Sequence, residues 1–290
     1  MQYSEMLPDD VYTRHVESYW HVASCKGTEA SPLELLLPTC TFNIIVTDQP
    51  CYVKLTSESK WVSLRPGALF FGQRNCSVQI KSKRHLNLCG IRFKPFAFAN
   101  IITTPVFQLN DSFIPLDKIF PINSVTCSLI QKLIETNELD NKTRLLDELM
   151  SDLFKQSSFS IDEQLRAQLN YILDRKGLVK VKDIFEEFNI SKVTLHKNFI
   201  NKVGLTPKKV SQIWRMNHLL QMKEEFPEEN LTSLCLNAGF YDQAHFIKDF
   251  KLLFGLAPRK YFNQNIQLLK VAHMNISRRF TNQYDPKVIM

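Results

Sequence analysis

No stretch of this 290-residue chain approaches about 18 consecutive apolar residues, so nothing in it reads as a membrane-spanning helix. The opening MQYSEMLPDDVYTRH has no basic start followed by an apolar run and no small-residue cleavage site. It therefore does not read as a secretory signal, and the expected location is the cytoplasm. The seven cysteines (25, 40, 51, 76, 89, 127 and 235) are odd in number and form no CxxC pair. That argues against a disulfide framework and a zinc ribbon, and leaves the role of small buried hydrophobes. His15, His21 and His85 are scattered, with no HxH or HxxxH spacing, so neither a metal nor a cofactor is expected. Nor is there a GxSxG, a Walker loop, an HExxH or a meaningfully spaced Cys–His pair, which leaves an enzymatic function without residues to carry it.

One further absence is local and more telling. Between Glu187 and Glu224 there is no acidic residue, yet Lys192, Lys197, Lys202, Lys208, Lys209, Arg215 and Lys223 all fall there. Residues 1–159 carry 16 Lys+Arg against 16 Asp+Glu, while residues 160–290 carry 20 against 13, so the whole net charge of +7 is C-terminal. A solvated helix face normally mixes both signs, whereas a one-signed run is what a chain meeting phosphates displays.

What is present divides the chain. At 44% hydrophobic and 22% charged, 290 residues suffice for two domains with separate cores. From 30 to 94, short apolar runs (ELLLP, TFNIIV, YVKLT, ALFFG, SVQIK, LCGIRF) alternate with turn signals such as TDQP, RPG and QRN, which predicts a β-rich module. From Phe96 the pattern turns helical: amphipathic helices are predicted over 123–135, with Val125, Leu129, Ile130 and Leu133, and over 142–155, with Leu145, Leu146, Leu149 and Met150. These stripes exceed what one small β module needs to cover. The Ser-rich stretch at 155–163 is the linker candidate. The resulting division is 1–120 as a β-rich module, 121–158 as a helical and linker region, 159–270 as a helical domain and 271–290 as a loosely ordered tail.

The helical domain uses one element twice. Sliding the sequence by 51 positions aligns Ser191 with Asp242, Leu195 with Phe246, Lys197 with Lys248, Phe199 with Phe250, Gly204 with Gly255 and Pro207 with Pro258. Each copy opens with a short amphipathic helix (Val181, Ile184, Phe185, Phe188; Leu231, Leu234, Cys235, Ala238), then a tight turn, then a capping Ser191 or Asp242 before a second helix. Helix, turn and capped helix make a helix-turn-helix. If Leu195, Phe199, Phe246 and Phe250 hold the core, then Lys192, Val193, His196 and Lys197 in one copy, and Gln243, Ala244, His245 and Lys248 in the other, face outward where a major groove could receive them. Lys202, Lys208, Lys209, Arg215, Lys251 and Arg259 are the candidate phosphate contacts. Between the copies, PKKVSQIWRMNHLLQMKEE predicts a rigid spacer helix of about 25 Å, with Trp214 and Met216 in its core.

This spaced pattern, from Ser191 through Thr206 and Pro207 to Gly239, Phe240, Asp242, Phe246, Gly255, Pro258 and Tyr261, resembles the DNA-binding domain of AraC-type transcription regulators over about residues 163–262. Phe185 and Cys235 stand where Ala is usual, and Lys197 and Lys248 where Arg is frequent. In the N-terminal half LPTCTFNIIV, SLRPGALFFGQ, LCGIRFKPFAF and LNDSFIPLDKIF are similar to the cupin-like sensor attached to some of those regulators. The resemblance implies an α+β chain: a cupin-like module with trailing helices, then two helix-turn-helix units joined by a long helix. It implies a sequence-specific regulator, an activator in the common case, with 1–120 as sensor and effector module and 121–158 as a dimerisation and linker region whose surplus stripes lie partly against the strands and partly at a homodimer interface; its partners are double-stranded DNA, RNA polymerase, a small effector and a second copy of the chain. His85, flanked by Lys81, Lys83 and Arg84, belongs either to a basic patch for an acidic effector or to a solvated strand end. Arg166, Arg175 and Lys176 either touch phosphate or solubilise their helix. The competing functions are a cupin-type enzyme with a helical appendage and an interaction protein whose helix-turn-helix units no longer read DNA.

Overall fold

The computed structural model describes residues 2–23, 34–83, 86–102, 104–155 and 160–263. Cys25, Arg84, His85, the middle of the linker candidate and the tail 271–290 lie outside them.

The N-terminal half is two antiparallel sheets. Strands β1 (Gln2–Met6), β2 (Val16–Ala23), β9 (Asn87–Phe93), β4 (Phe42–Thr47), β7 (Gly67–Phe71) and β10 (Phe113–Pro115) pair in that order. The second sheet runs β3 (Glu34–Leu36), β8 (Val78–Ser82), β5 (Cys51–Leu55) and β6 (Val62–Leu64). The larger sheet is buried on both faces, which explains why TFNIIV reads as an unbroken apolar run. Because successive side chains point to opposite faces, Phe42, Ile44 and Val46 join one core while Ile45 joins another. Phe70 and its neighbours Leu69 and Phe71 divide in the same way.

The strands begin earlier than residue 30. β1 and β2 lack an obvious apolar run because β1 is a half-wet edge strand, and β2 interleaves Glu17, Ser18 and His21 with its apolar residues. The segment after Phe96 is not yet helical: it carries short 3-10 turns and β10, and the first α-helix starts at Ser124. Helices α1 (Ser124–Glu135) and α2 (Leu139–Phe154) then lie on the outer face of the large sheet. Leu129, Leu133, Leu145, Leu146, Leu149 and Met150 are buried in a common core with Phe42, Phe70 and Phe93. The chain's own sheet thus covers most of the two stripes, while Val125 of α1 is exposed. The outer face of a six-stranded sheet needs more apolar cover than its short strands suggest. Cys40, Cys51, Cys76, Cys89 and Cys235 are buried, as small hydrophobes would be, and Cys127 is exposed.

The C-terminal half is helical: α3 (Glu163–Asp174), α4 (Val181–Glu187), α5 (Lys192–Asn198), α6 (Pro207–Glu225), α7 (Leu231–Asn237), α8 (Gln243–Phe254) and α9 (Pro258–Phe262). One core runs through both repeats and collects Ile184, Leu195, Phe199, Trp214, Phe246 and Phe250. Helix α6, with Pro207 in its first turn and Thr206 as cap, is 19 residues long, hence about 28 Å at 1.5 Å per residue.

The two halves meet. Leu35, Leu37, Cys40 and Phe96 of the β module are part of the helical core. The backbone N–H and hydroxyl of Ser77 both donate to the Leu253 carbonyl, at 2.7 and 3.0 Å, and Asn110 Nδ2 donates to the Gly204 carbonyl at 2.6 Å. Gly204 and Gly255 end the two repeats with left-handed φ of 87° and 70°. Each also lies so close to the β module that a Cβ would sit 2.6 Å from Asn110 Oδ1 or 2.4 Å from Thr56 Cβ. Glycine is needed there for conformation and for approach.

Candidate nucleic-acid interface and sensor cavity

Both repeats build the same device from local rules. A short helix, α4 or α7, buries one side and ends in a turn that requires a positive φ, supplied by Asn189 (48°) and Gly239 (71°). Ser191 Oγ then accepts the Thr194 amide at 3.0 Å, and Asp242 Oδ1 accepts the His245 amide at 2.7 Å. These bonds satisfy otherwise free donors at the helix start and fix where each second helix begins. Leu195 and Phe199, or Phe246 and Phe250, anchor that helix with at most 1% exposure. The first copy differs in opening into a π-helical turn over Phe199–Val203 before Gly204.

With the inner faces fixed, the outer faces are set. Lys192, Val193, His196 and Lys197 are all exposed, Val193 at 76%. So are Gln243, Ala244 and Lys248, while His245 is half-buried, with Nε2 3.4 Å from Asp249 Oδ2 and its ring edge-on to Phe240. Lys208, Lys251 and Arg259 are exposed as well.

The other three basic candidates are engaged within the protein. Lys202 pairs with Asp162 at 2.6 Å. Lys209 is half-buried beside the β module, and burial pulls its ammonium below the usual lysine range. Arg215 stacks its guanidinium over the Phe240 ring at 4.5 Å, lies 3.7 Å from Asp249 and donates to the Gly239 carbonyl. Burial lowers its pKa, partly offset by Asp249. It ties α6 to the turn before α8. Trp214 and Met216 are buried in the same core.

Tyr241 is 87% exposed immediately before the Asp242 cap, and was not singled out from the sequence. The signal was there in GFYDQ: of two adjacent aromatics at a turn only one can enter the core, and Phe240 does.

A second concave feature lies between the two sheets of the β module: about 850 Å³ of empty space, part of it continuous with solvent. Its wall follows from strand alternation. Trp20, Ile45, Leu69 and Leu88 face it from the large sheet, and Cys51 and Ile80 from the small one. One end is polar. Ser18, Arg92 and Asn43 form one cross-strand row. Arg92 there donates to Glu5 at 2.9 Å and Ser18 at 3.0 Å, and more weakly to the hydroxyl of Tyr3, which itself bonds Glu5. Arg74 closes this end from the turn after β7. Lys81 and Lys83 do not line this wall, and Arg84 and His85 lie outside the described residues. Arg74 and Arg92 escape an eye searching for clustered charges because each stands alone in an apolar stretch. A lone arginine inside LCGIRF or beside GALFFGQ is itself the available signal.

Two antiparallel sheets around a cavity, followed by two capped recognition helices on one rigid spacer, define a DNA-binding regulator with a β-rich N-terminal module. Residues 184–264 match the model of a helix-turn-helix domain, and residues 4–115 match a domain of unknown function (DUF6597). Residues 184–264 are thus an AraC-type helix-turn-helix domain. No curated protein sequence matches it. Among solved structures it is similar to ToxT from Vibrio cholerae, with 11% identity over 84% of this chain and 97% of that one and a TM-score of 0.48. ToxT bound to (E)-4-(8-methylnaphthalen-1-yl)but-3-enoic acid gives 12% identity, 84% and 97% coverage and a TM-score of 0.46. The AraC-like transcriptional activator CuxR gives 13% identity, 77% and 87% coverage and a TM-score of 0.27.

Proposed function

We propose that the chain binds double-stranded DNA with α5 and α8 in successive major grooves, and that occupancy of the β-module cavity by a small effector sets how well it does so. The observation carrying the first half is the repeated geometry: two helices with equivalent caps, equivalent buried anchors and exposed polar outer faces. Gln243 and Lys248 in one head, and His196 and Lys197 in the other, are nearest base edges; Lys192, Val193, Ala244 and His245 line the same faces. Lys208, Lys251 and Arg259 contact phosphate. Lys202, Lys209 and Arg215 instead hold the heads in place, since each is already paired or packed.

Coupling has a physical route. Leu37 lines the cavity and also belongs to the helical core, and the segment bearing Arg74 continues within three residues to Ser77, which bonds Leu253 of the second head. An effector acts through this route only by favouring one arrangement of that contact over another. The working units are then 1–158, with α1 and α2 as the outer layer of the sensor, and 159–270. One copy carries both reading heads, so it reaches two grooves without a partner subunit. The protein works by binding rather than catalysis, in the cytoplasm where its DNA and RNA polymerase are, and activates by presenting the polymerase with a fixed surface. Among the described residues no helix is long and apolar enough to cross a membrane.

The residue assignment is tested at Gln243, whose amide suits adenine in the major groove. A good bidentate contact discriminates by about 1–3 kcal/mol. Gln243→Ala, measured against a site and its single-base variants, should erase preference at one base step and leave the others unchanged. Uniform weakening on every sequence would make Gln243 a backbone contact.

A further inference from the structure

We infer that the outer face of the small sheet, carrying Lys54, Lys81 and Lys83, binds the phosphate backbone of duplex DNA beyond the segment read by α8. The β module is then itself part of the DNA interface. This rests on the DNA-binding reading of the two heads and extends it.

The N-terminal half is neutral as a whole, but its charge is unevenly spread. Between Cys51 and Lys83 there are six Lys or Arg and a single acid, Glu58. Strand pairing gathers part of that excess on one face. Tyr52 lies opposite Lys81, and Lys54 opposite Gln79. Cys51 and Val53, which alternate with them, are buried, and Cys51 lines the cavity. Because successive side chains take opposite faces, Tyr52, Lys54, Lys81 and Lys83 point away from the cavity. Aromatic rings hold the ammonium groups there. Lys54 Nζ and Lys81 Nζ lie 5.3 and 4.1 Å from the centroid of the same Trp61 ring, and Lys83 Nζ lies 5.7 Å from that of Tyr52. Among the described residues no carboxylate pairs with any of the three. Like charges gathered on one ring repel one another, and a face that only met solvent would mix both signs. Lysines ordered in this way suit a partner that brings repeated negative charge.

The face starts where the second head ends. Lys251, the exposed cation assigned above to phosphate, accepts the Gly255 amide at its carbonyl at 2.8 Å. Gly255 in turn lies against Thr56, and Thr56 donates from its backbone and hydroxyl to the Ser77 carbonyl at 2.9 and 3.1 Å. Ser77 is the residue bonded to Leu253. Lys54 stands two residues from Thr56 and Lys81 four from Ser77, so they lie roughly 7 and 13 Å along their strands from that contact. Both distances are well inside one helical turn of DNA, about 34 Å. The bonds at Ser77 fix the face relative to α8, so no rearrangement is needed to bring it to the duplex. An acidic protein or an anionic membrane would also offer negative charge, but only the duplex is already carried to this edge by the second head.

The test titrates the full chain, by fluorescence anisotropy, with three duplexes cut from its own upstream DNA. One is trimmed to the segments the two heads protect, and the others are extended by about 10 base pairs, one turn, at either end. The α8 end is the one whose protection is lost on replacing Gln243 and Lys248 with Ala. Extension at that end should strengthen binding about fortyfold at about 50 mM salt and add almost nothing at about 200 mM. That is the steepening of about −2.7 that three phosphates at about −0.9 each impose. Extension at the α5 end should give no such gain. Lys54→Gln, Lys81→Gln and Lys83→Gln together should abolish the gain and leave binding to the trimmed duplex unchanged. If that variant does not fold, Lys81→Gln with Lys83→Gln, both at exposed positions, should remove about two thirds of the added slope. Equal gains at both ends, a gain that survives the substitutions, or no gain at the α8 end would each overturn the inference. In the last case, capture of the chain by phosphatidylglycerol vesicles through the same lysines would make the face a membrane surface. A trimmed duplex that is bound without any extension effect leaves the heads intact and removes only this face; a trimmed duplex that is not bound removes the reading of the heads and this inference with it.

Discussion

Raising the salt concentration from about 50 to 200 mM should weaken DNA binding about a thousandfold, with a linear fall of log affinity against log salt. Six cations of the helical half are exposed on or beside the reading helices: Lys192, Lys197, Lys208, Lys248, Lys251 and Arg259. Lys208, Lys251 and Arg259 neutralise phosphates directly, and Lys192, Lys197 and Lys248 on the groove-facing sides displace condensed counterions as well; at about −0.9 for each, six cations give a slope of about −5. Lys202 and Arg215 do not add to it, because Asp162 and Asp249 already hold them. Replacing Lys208 or Lys251 with Ala should therefore reduce the slope by about one unit, and replacing Arg215 should leave the slope unchanged while lowering stability. Fluorescence anisotropy across a salt series measures this, and an affinity indifferent to salt would remove the electrostatic anchoring.

The second large effect is on folding. Leu149→Asp should destabilise the β module by more than about 4 kcal/mol, the scale of introducing an unpaired charge into a core. Leu149 and Leu146 are fully buried in the chain's own core, beneath α2 and over the large sheet. The carboxylate would have no exposure to solvent there, and Lys142, the buried ammonium of α2, is already bonded to the Leu133 carbonyl. Urea unfolding followed by circular dichroism should show the loss, with most of the variant insoluble. If these leucines instead formed a subunit interface, the variant would be a soluble monomer with an unaltered unfolding midpoint, and sedimentation would distinguish the two results.

The helical half was legible because its rules are local. Caps at Ser191 and Asp242, a left-handed residue at Gly239 and apolar spacing at Leu195–Phe199 and Phe246–Phe250 each act within one or two turns, and a repeat displays them twice. The sheets were legible where an apolar run marks them, buried on both faces as in β4 or alternating as in β5 and β8. β2 takes its other neighbour, β9, from far along the chain, and the polar positions Glu5 and Ser18 make sense only once Arg92 arrives from that strand. For the same reason the cavity was invisible: its wall draws on strands from residue 3 to residue 113. The surplus apolar stripe of α1 and α2 was visible, but what it covers depends on the size of a sheet whose first strands were not recognised. Which cations face out is likewise a tertiary matter: Arg215 and Lys208 sit on one helix, and only packing against Phe240 separates them.

The most direct measurement of the central claim is a methylation-protection footprint of the full chain on its own upstream DNA. Two reading heads on one rigid spacer should protect two major-groove segments on the same face of the duplex, about one helical turn, or 10 base pairs, apart. His196→Ala combined with Lys197→Ala should remove one segment, and Gln243→Ala combined with Lys248→Ala the other. A single protected segment erased by either pair of substitutions, or protection indifferent to both, would contradict a protein that reads DNA with both repeats.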